Sequence, residues 1–242
     1  MNEHDRQTGE RAECCAALVA FLAEARDLRL AAAGDAVFGR RRLKLREWQA
    51  ARLARTHAGL LASPRYGQAA EFFLSDLYGP KDFSERDAEV ERILPIMTSM
   101  LPVSGLRTLL LAVEVDALSE RFDAAMVDVL GARLDGPELD AASYAAAYRE
   151  VGDRAGREVQ IRLIGETGEA LDALARKPFV RGALRMMHGP AHLAGLGELH
   201  AFLQRGFDAF RSMGDAAEFL ESITGREREV SRALFAGEAP QA

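Results

Sequence analysis

The stretch SGLRTLLLAVEVDALSERFDAAMVDVLGARL, residues 104–134, is the most apolar part of the chain and decides the fold. Its apolar residues do not alternate with polar ones as they would in a half-buried strand. Ser104 is a suitable N-cap, so the stretch predicts a helix from Gly105 to Leu134. A helix this apolar is expected to be buried among other helices.

The rest of the chain is also typical of helices. Of its 242 residues, 48% are apolar, 28% are charged and only 7% are aromatic. Alanine, leucine, glutamate and arginine dominate, and all four favour helix. Short breaks rich in Gly, Pro and Asp separate the helical segments, which favours antiparallel neighbours. We therefore predict an all-α fold, a single compact bundle of about nine or ten helices with short loops. It is expected to span residues 10–236, between loose tails at 1–9 and 237–242.

Charge and cysteine use restrict the plausible partners. The formal net charge is −6, whereas proteins that bind duplex nucleic acid are usually basic, so nucleic acid is an unlikely partner. Cys14 and Cys15 are adjacent and fit neither a disulfide framework nor a zinc site. The N-terminal residues are polar, and no apolar stretch is long enough to span a bilayer. We expect a cytoplasmic protein that has no membrane segment and needs no cofactor.

Three of the five histidines, His188, His192 and His200, fall within thirteen residues and suggest a metal site. Gly189-Pro190 is expected to end a short helix at His188, so His188 and His192 would not lie one turn apart. His200 continues a heptad-like apolar stripe along the next segment. We therefore expect His200 to be a core histidine with a local hydrogen-bond partner and predict no metal site. Metal binding or catalysis is the alternative.

A second distinctive stretch is EFFLSDLYGPKDFSERD, residues 71–87. Its apolar side chains cover more than one helical face, which predicts a short helix, from about residue 64 to residue 78, buried between others. Gly79-Pro80 is expected to end this helix, and Ser84 to cap the next one. The aromatic pair Phe72 and Phe73 is expected to be buried.

The polar residues beside this corner have two interpretations. They form either a hydrogen-bonded brace, with Arg86 as the natural partner of one acid, or part of a polar pocket that binds a small molecule or carries out carboxylate chemistry. Glu114 joins them because it interrupts the most buried helix, where a charge needs a partner or a wet cavity. Asp116 interrupts the same helix. Both acids could also pair with Arg107, Arg121, Arg154 or Arg157. The candidate residues are Glu71, Asp76, Tyr78, Asp82, Arg86 and Glu114.

The run FGRRRLKLREW, residues 38–48, is the main basic segment. On a helix its cations cover most of the circumference, which favours a solvated face in an acidic chain. The alternative is a patch that binds an anion, an acidic partner or a nucleic acid. The residues of this candidate patch are Arg40, Arg41, Arg42, Lys44 and Arg46.

The phrase FFLSDLYG resembles the signature of a bacterial family of uncharacterised proteins named for its FFLEELY motif. The likeness extends to DLYGPKDFSERD, GDRAGREVQI and GPAHLAGLGELHAFLQRGF. This chain has Ser75-Asp76 where the motif has two glutamates. The resemblance implies no activity, so it assigns no catalytic residue.

Three functions are consistent with the sequence, which leaves the function unknown. No nucleophile motif, glycine-rich phosphate loop or Cys–His pairing occurs, so an enzyme is the less favoured class. The leading hypothesis is a non-enzymatic protein that binds a protein partner or forms a homo-oligomer. The second is a small-molecule-binding bundle or enzyme with carboxylates at Glu71, Asp76 and Glu114. The third is a nucleic-acid-linked regulator that acts through residues 40–46.

Overall fold

The computed structural model of the chain describes residues 3–77 and 84–238 and is all-α, as predicted. These residues form eleven α-helices, of which α3 and α4 are short. A π-helical turn, Phe73–Leu77, follows α4, and a 3-10 turn, Gly131–Asp135, follows α6. The helices are α1 Glu3–Gly34, α2 Ala36–Thr56, α3 Ala58–Leu61, α4 Gly67–Phe72, α5 Ser84–Met100, α6 Val103–Leu130, α7 Ala141–Val151, α8 Arg154–Ala175, α9 Pro178–Leu193, α10 Gly197–Met213 and α11 Ala217–Ala236.

The most apolar helix, α6, lies at the centre of the bundle. It packs most extensively against α1 and also contacts α2, α7 and α8. It ends at Leu130, four residues before the predicted end, because Gly131 adopts a positive φ of 49° that favours glycine. The buried character of this helix is confirmed, with Leu106, Ala117 and Met126 fully enclosed.

An aromatic core joins α4, α10 and α11. Phe72 and Phe73 are both buried, which confirms the prediction from the FFLSDLYG stretch. The Phe73 ring lies 5.6 Å from that of Phe219 and 6.1 Å from that of Phe210. These separations suit the edge-to-face and tilted contacts that aromatic pairs prefer. The π-helical turn after α4 is therefore anchored by its first residue.

A second core lies between α2, α6, α7 and α11. Trp48 of α2 stacks on Tyr144 of α7 with ring centroids 4.1 Å apart, and Leu45 and Met126 are fully buried beside them. Asp140 caps α7 by accepting a hydrogen bond from the Ser143 amide at 2.8 Å. This core fixes α2 against α6.

Two segments begin or run differently from the prediction. Residues 3–9, where a loose tail was expected, are helical because α1 begins at Glu3. The single helix expected from residue 64 to residue 78 is instead a turn, α4 and the π-helical turn. The turn forms because the Ser63 hydroxyl accepts hydrogen bonds from the Arg65 and Tyr66 amides, both at 3.3 Å.

The predicted break at Gly189-Pro190 is wrong, since α9 continues through it to Leu193. A proline usually constrains the residue before it through a clash with that residue's Cβ. Gly189 has no Cβ, so this clash does not arise at the residue before Pro190. The helix therefore loses the amide of Pro190 and still continues.

Polar contacts hold the α9–α10 connection in place. The buried Glu89 of α5 accepts a hydrogen bond from the Leu199 amide at 2.7 Å in the first turn of α10. Arg92 of α5 donates to the Gly195 carbonyl. His200 of α10 donates from Nε2 to the Leu184 carbonyl of α9 at 2.8 Å. These contacts fix the orientation of α9 and therefore determine which of its faces is exposed to solvent.

Candidate functional site

Asp76 is the buried acid of the 71–87 stretch, and Arg205 of α10 is a partner. The Arg205 guanidinium donates to Asp76 Oδ1 from Nε at 3.0 Å and from Nη2 at 2.6 Å. The Ser75 hydroxyl donates to Oδ2 at 2.9 Å. Glu71, in contrast, is exposed. Tyr78, Asp82 and the side chain of Arg86 lie outside the described residues, and so does the expected pairing of Arg86 with one of the acids.

Glu114 lies on a different side of the bundle from Asp76. It is half-buried on α6 and acts on Arg162 of α8, whose pKa is raised first by the hydrogen bond to Glu166 and further by the charge of Glu114. The structure therefore places Asp76 against α10 and Glu114 towards α8. It does not bring Glu71, Asp76 and Glu114 together around one pocket.

The arginines proposed as partners of Glu114 and Asp116 have other contacts. Asp116 instead binds Arg29, which was not among the arginines expected to pair with it, with N–O distances of 2.5 and 2.6 Å. Arg121 pairs with Glu24 of α1 at 2.9 Å. The other contacts are Arg107 with Glu10, and Arg157 over the rings of Phe122 and Tyr148.

The basic run 40–46 mostly faces acids and carbonyls of the same chain. Arg41 binds Asp135, with Nε–Oδ1 at 2.9 Å, and Lys44 donates to the Gly136 carbonyl. Arg42 and Arg46 turn inward to α6, and Arg40 is exposed. This arrangement differs from the solvated face that the sequence favoured, because the acids that pair with the run lie 74 to 94 residues further along the chain.

The inward cations belong to a charge cluster at the junction of α1, α2 and α6. Glu120, only 2% exposed, is its centre. Its Oε1 accepts from Arg29 at 3.0 Å and from Arg46 at 2.6 Å, and its Oε2 accepts from Arg42. The cluster has three guanidinium groups and three carboxylates, so its charges balance. Its members are Arg29, Arg42, Arg46, Asp116, Glu120 and Asp123.

A second, largely buried polar group joins α2 to α11. The sequence contains no local signal for it. Arg52 donates to both oxygens of Glu227 at 2.6 and 2.7 Å, and His57 Nε2 lies 3.0 Å from Oε1 of the same carboxylate. The partners are separated by at least 170 residues. Like the charge cluster, this group fixes α2 in the bundle.

Glu120 and the half-buried Glu227 both make stability depend on pH. Burial raises the pKa of Glu120, but the charges of Arg46, Arg42 and Arg29 outweigh it and lower the pKa overall. The pKa of Glu227 is likewise lowered, because His57 and Arg52 outweigh burial. A lowered pKa stabilises the fold fully above the unfolded value, about 4.3 for glutamate, and this stabilisation is lost as pH falls through the folded value.

We therefore expect the urea midpoint of the wild type to fall steeply below about pH 4.3, where unfolded glutamate takes up protons. Glu227→Gln should show a shallower fall over the same range, measured by circular dichroism, because its side chain does not titrate. Equal slopes for the two proteins would contradict the assignment of this stabilisation to Glu227.

The structure brings the three clustered histidines together, contrary to the argument from the Gly-Pro break. The His188 ring lies 4.8 Å from that of His192 and 5.3 Å from that of His200, between centroids. His200 is buried and bonded to the Leu184 carbonyl, which confirms a core histidine with a local partner. Among residues 3–77 and 84–238, no group of three or more His, Cys, Asp or Glu side chains is placed to hold a metal ion.

A shallow groove of about 610 Å³ runs between α8 and α11. Several carboxylates that line it are already paired, such as Glu166 with Arg162 and Asp172 with Arg176. The groove includes none of the sequence-predicted candidates. Its charged rim and internal ion pairs describe a solvated surface between two packed helices.

The feature that stands apart is the outer face of α9. Phe179 is 69% exposed, Met186 76% and Leu193 92%. These three residues are spaced at intervals of seven positions, or about two helical turns. Each side chain therefore lies within about 20° of the next around the helix axis, on the same face of α9. Ala183 and Pro190 fill the positions between them and are also exposed. We call these five residues, Phe179, Ala183, Met186, Pro190 and Leu193, the α9 seam.

Local chemistry explains why the seam faces solvent. Pro178 begins α9 at the first helical position, where its missing amide costs nothing. The neighbouring face, with Val180, Leu184 and the buried Ala191, packs on the bundle. Only this apolar face of α9 is covered by the other described residues of the chain. The sequence contained this signal, a helix apolar on two faces, but the expected break at Gly189-Pro190 concealed it.

Comparison with known proteins places the chain in a family without assigning an activity. None of the helices in the described part of the chain is long and apolar enough to cross a membrane. No curated protein and no solved structure is significantly similar to the chain. A family model described as a domain of unknown function, DUF8198, matches residues 29–241. The chain therefore belongs to the DUF8198 family, whose function is unknown.

Proposed function

We propose that this protein is non-enzymatic and binds another protein chain through the α9 seam. The observation that carries the proposal is the exposure of Phe179, Met186 and Leu193 on one face of one helix. Contiguous apolar patches on soluble proteins mark interaction sites, whereas singly scattered apolar residues do not. An amphipathic helix presents such anchors at the spacing used in helix–helix recognition.

The side chains of the seam suit protein recognition. Met186 and its half-exposed neighbour Met187 are flexible and polarizable, so they adapt to a partner surface. Phe179 and Leu193 supply large apolar anchors at the two ends of the seam. The other candidate residues support this choice, because the basic run binds acids of its own chain and the candidate carboxylates face different helices.

We also propose that the protein works in the bacterial cytoplasm and is a relative of the FFLEELY-motif proteins. The FFLSDLY stretch supports the family assignment. Cys14 and Cys15 are both free thiols, which suits a reducing compartment. The family resemblance carries no activity, so the function rests on the α9 seam alone.

Site-specific photo-crosslinking in living cells tests the proposed function. A photoreactive amino acid in place of Met186 should give covalent adducts with a protein chain in several-fold higher yield than the same residue in place of Ile96. Ile96 is a matched control because it is 58% exposed and apolar but lies on a different helix, α5. Equal yields at the two positions would refute the proposed function.

A further inference from the structure

We infer that the occupant of the α9 seam is the same seam of a second copy of this chain. The two α9 helices lie antiparallel, with a two-fold axis beside Met186. This inference rests on the proposed function and names its partner. A two-fold contact requires a surface that is complementary to itself, so that residue i meets residue j and j meets i.

The side chains of the seam have this symmetry about Met186. Phe179 and Leu193 lie seven residues on either side of it, so each large side chain meets the other kind in the second copy. Ala183 precedes Met186 by three residues and Pro190 follows it by four, so the smaller side chains of the seam lie at similar distances on either side of Met186. Close approach of two helices needs such smaller residues between larger ones. The side chains of the seam are therefore arranged nearly symmetrically by size about Met186.

The charges of α9 favour a second copy over an acidic partner. The helix has no acidic residue, and its cations Arg181 and Arg185 are exposed. They lie about 140° and 100° round the helix from Met186. A two-fold contact at the seam therefore keeps these like charges out of the contact and in water. An acidic partner would instead be recognised by cations at the edge of the contact. On α9, however, the residues at this edge are Gly182 and Gly189.

The area of the seam predicts a weak, reversible dimer. Three large side chains of the seam, Phe179, Met186 and Leu193, and the adjoining Met187 each expose on the order of 100 Å² of apolar surface. Two copies would then bury roughly 800 Å², below the size of a stable complex and within the range of transient ones. We expect dissociation in the micromolar range or weaker.

Disulfide trapping tests the partner and its orientation. In a Cys14→Ala, Cys15→Ala background, purified Met186→Cys should form a disulfide-linked dimer at least about tenfold faster than Ile96→Cys, because docking raises the local thiol concentration. Phe179→Cys should not link to itself, since the two copies of residue 179 would be about 21 Å apart along the antiparallel helices. A mixture of Phe179→Cys with Leu193→Cys should link.

Residues 96, 179, 186 and 193 are exposed, so their replacement is expected to leave the fold intact, and circular dichroism checks each variant and the Cys14→Ala, Cys15→Ala background, in which Cys14 is buried. Self-linking of Phe179→Cys as fast as the mixture would indicate parallel or random contact and would overturn the inference. A rate for Met186→Cys equal to that of Ile96→Cys would also overturn it. If that result came with strong photo-crosslinks from position 186 to a different protein, the proposed function would survive and the second copy would be the wrong partner. If the crosslinks also failed, both would be wrong.

Discussion

Replacing Glu120 with alanine is expected to lower the free energy of unfolding by about 3–5 kcal/mol. Glu120 accepts hydrogen bonds from Arg29, Arg42 and Arg46 in a nearly solvent-free junction of three helices. Its removal leaves guanidinium groups buried without their shared counter-ion, which costs far more than a lost surface contact. Chemical denaturation of both proteins measures the difference directly.

The control for this prediction is Glu229→Ala, which removes a carboxylate from an exposed ion pair. Glu229 binds Arg226 at 3.0 Å with both side chains largely in water. Such a pair contributes only about 0–1 kcal/mol. If Glu120→Ala cost no more than Glu229→Ala, the buried charge cluster would not have the structural role assigned to it.

The second large effect is expected from Phe73→Ala, which should destabilise the fold by about 3–5 kcal/mol. Phe73 is buried and its ring packs against those of Phe72, Phe210 and Phe219. Alanine would leave a cavity between α10 and α11 and would release the π-helical turn that Phe73 begins. The urea midpoint measures the loss.

Phe179→Ala provides the same substitution at an exposed site. Because Phe179 is mostly in water, its truncation should leave the stability of the monomer within about 0.5 kcal/mol of the wild type. The two variants thus compare a phenylalanine that packs in the core with one that faces solvent. Similar losses from both would contradict the difference in burial on which the α9 seam depends.

The sequence predicts the helical class, the central helix and the buried phenylalanines because these follow from local spacing. Residues 104–134 are apolar enough to require burial whatever surrounds them. The breaks at Gly34-Asp35 and Gly152-Asp153 also coincide with helix ends, since Asp35 and Asp153 cap α2 and α8. Local signals of this kind need no knowledge of the tertiary structure.

Pairing between distant charges could not be predicted in this way. Asp76 pairs with Arg205, 129 residues further along the chain. Arg42 and Arg46 looked like a solvated face because Glu120 is more than 70 residues away in sequence. Ion pairs depend on which helices pack together, and helical periodicity does not determine that.

The wrong prediction of a helix end at Gly189-Pro190 matters most for the proposed function, because that break would divide the α9 seam. A glycine followed by a proline usually marks a turn. Here the glycine removes the clash that would otherwise keep its own backbone out of the helical region, so α9 continues and carries Met186 and Leu193 on one face. Only with the helix intact does the seam exist.

Protein binding by the α9 seam is tested most sharply by comparing photo-crosslink yields at positions 186 and 96 in living cells. We expect protein adducts at position 186 in several-fold excess over those at position 96. This excess should be lost when Phe179 and Leu193 are both replaced by serine. Equal yields at the two positions, with Phe179 and Leu193 intact, would show that the α9 seam is not a protein-binding surface.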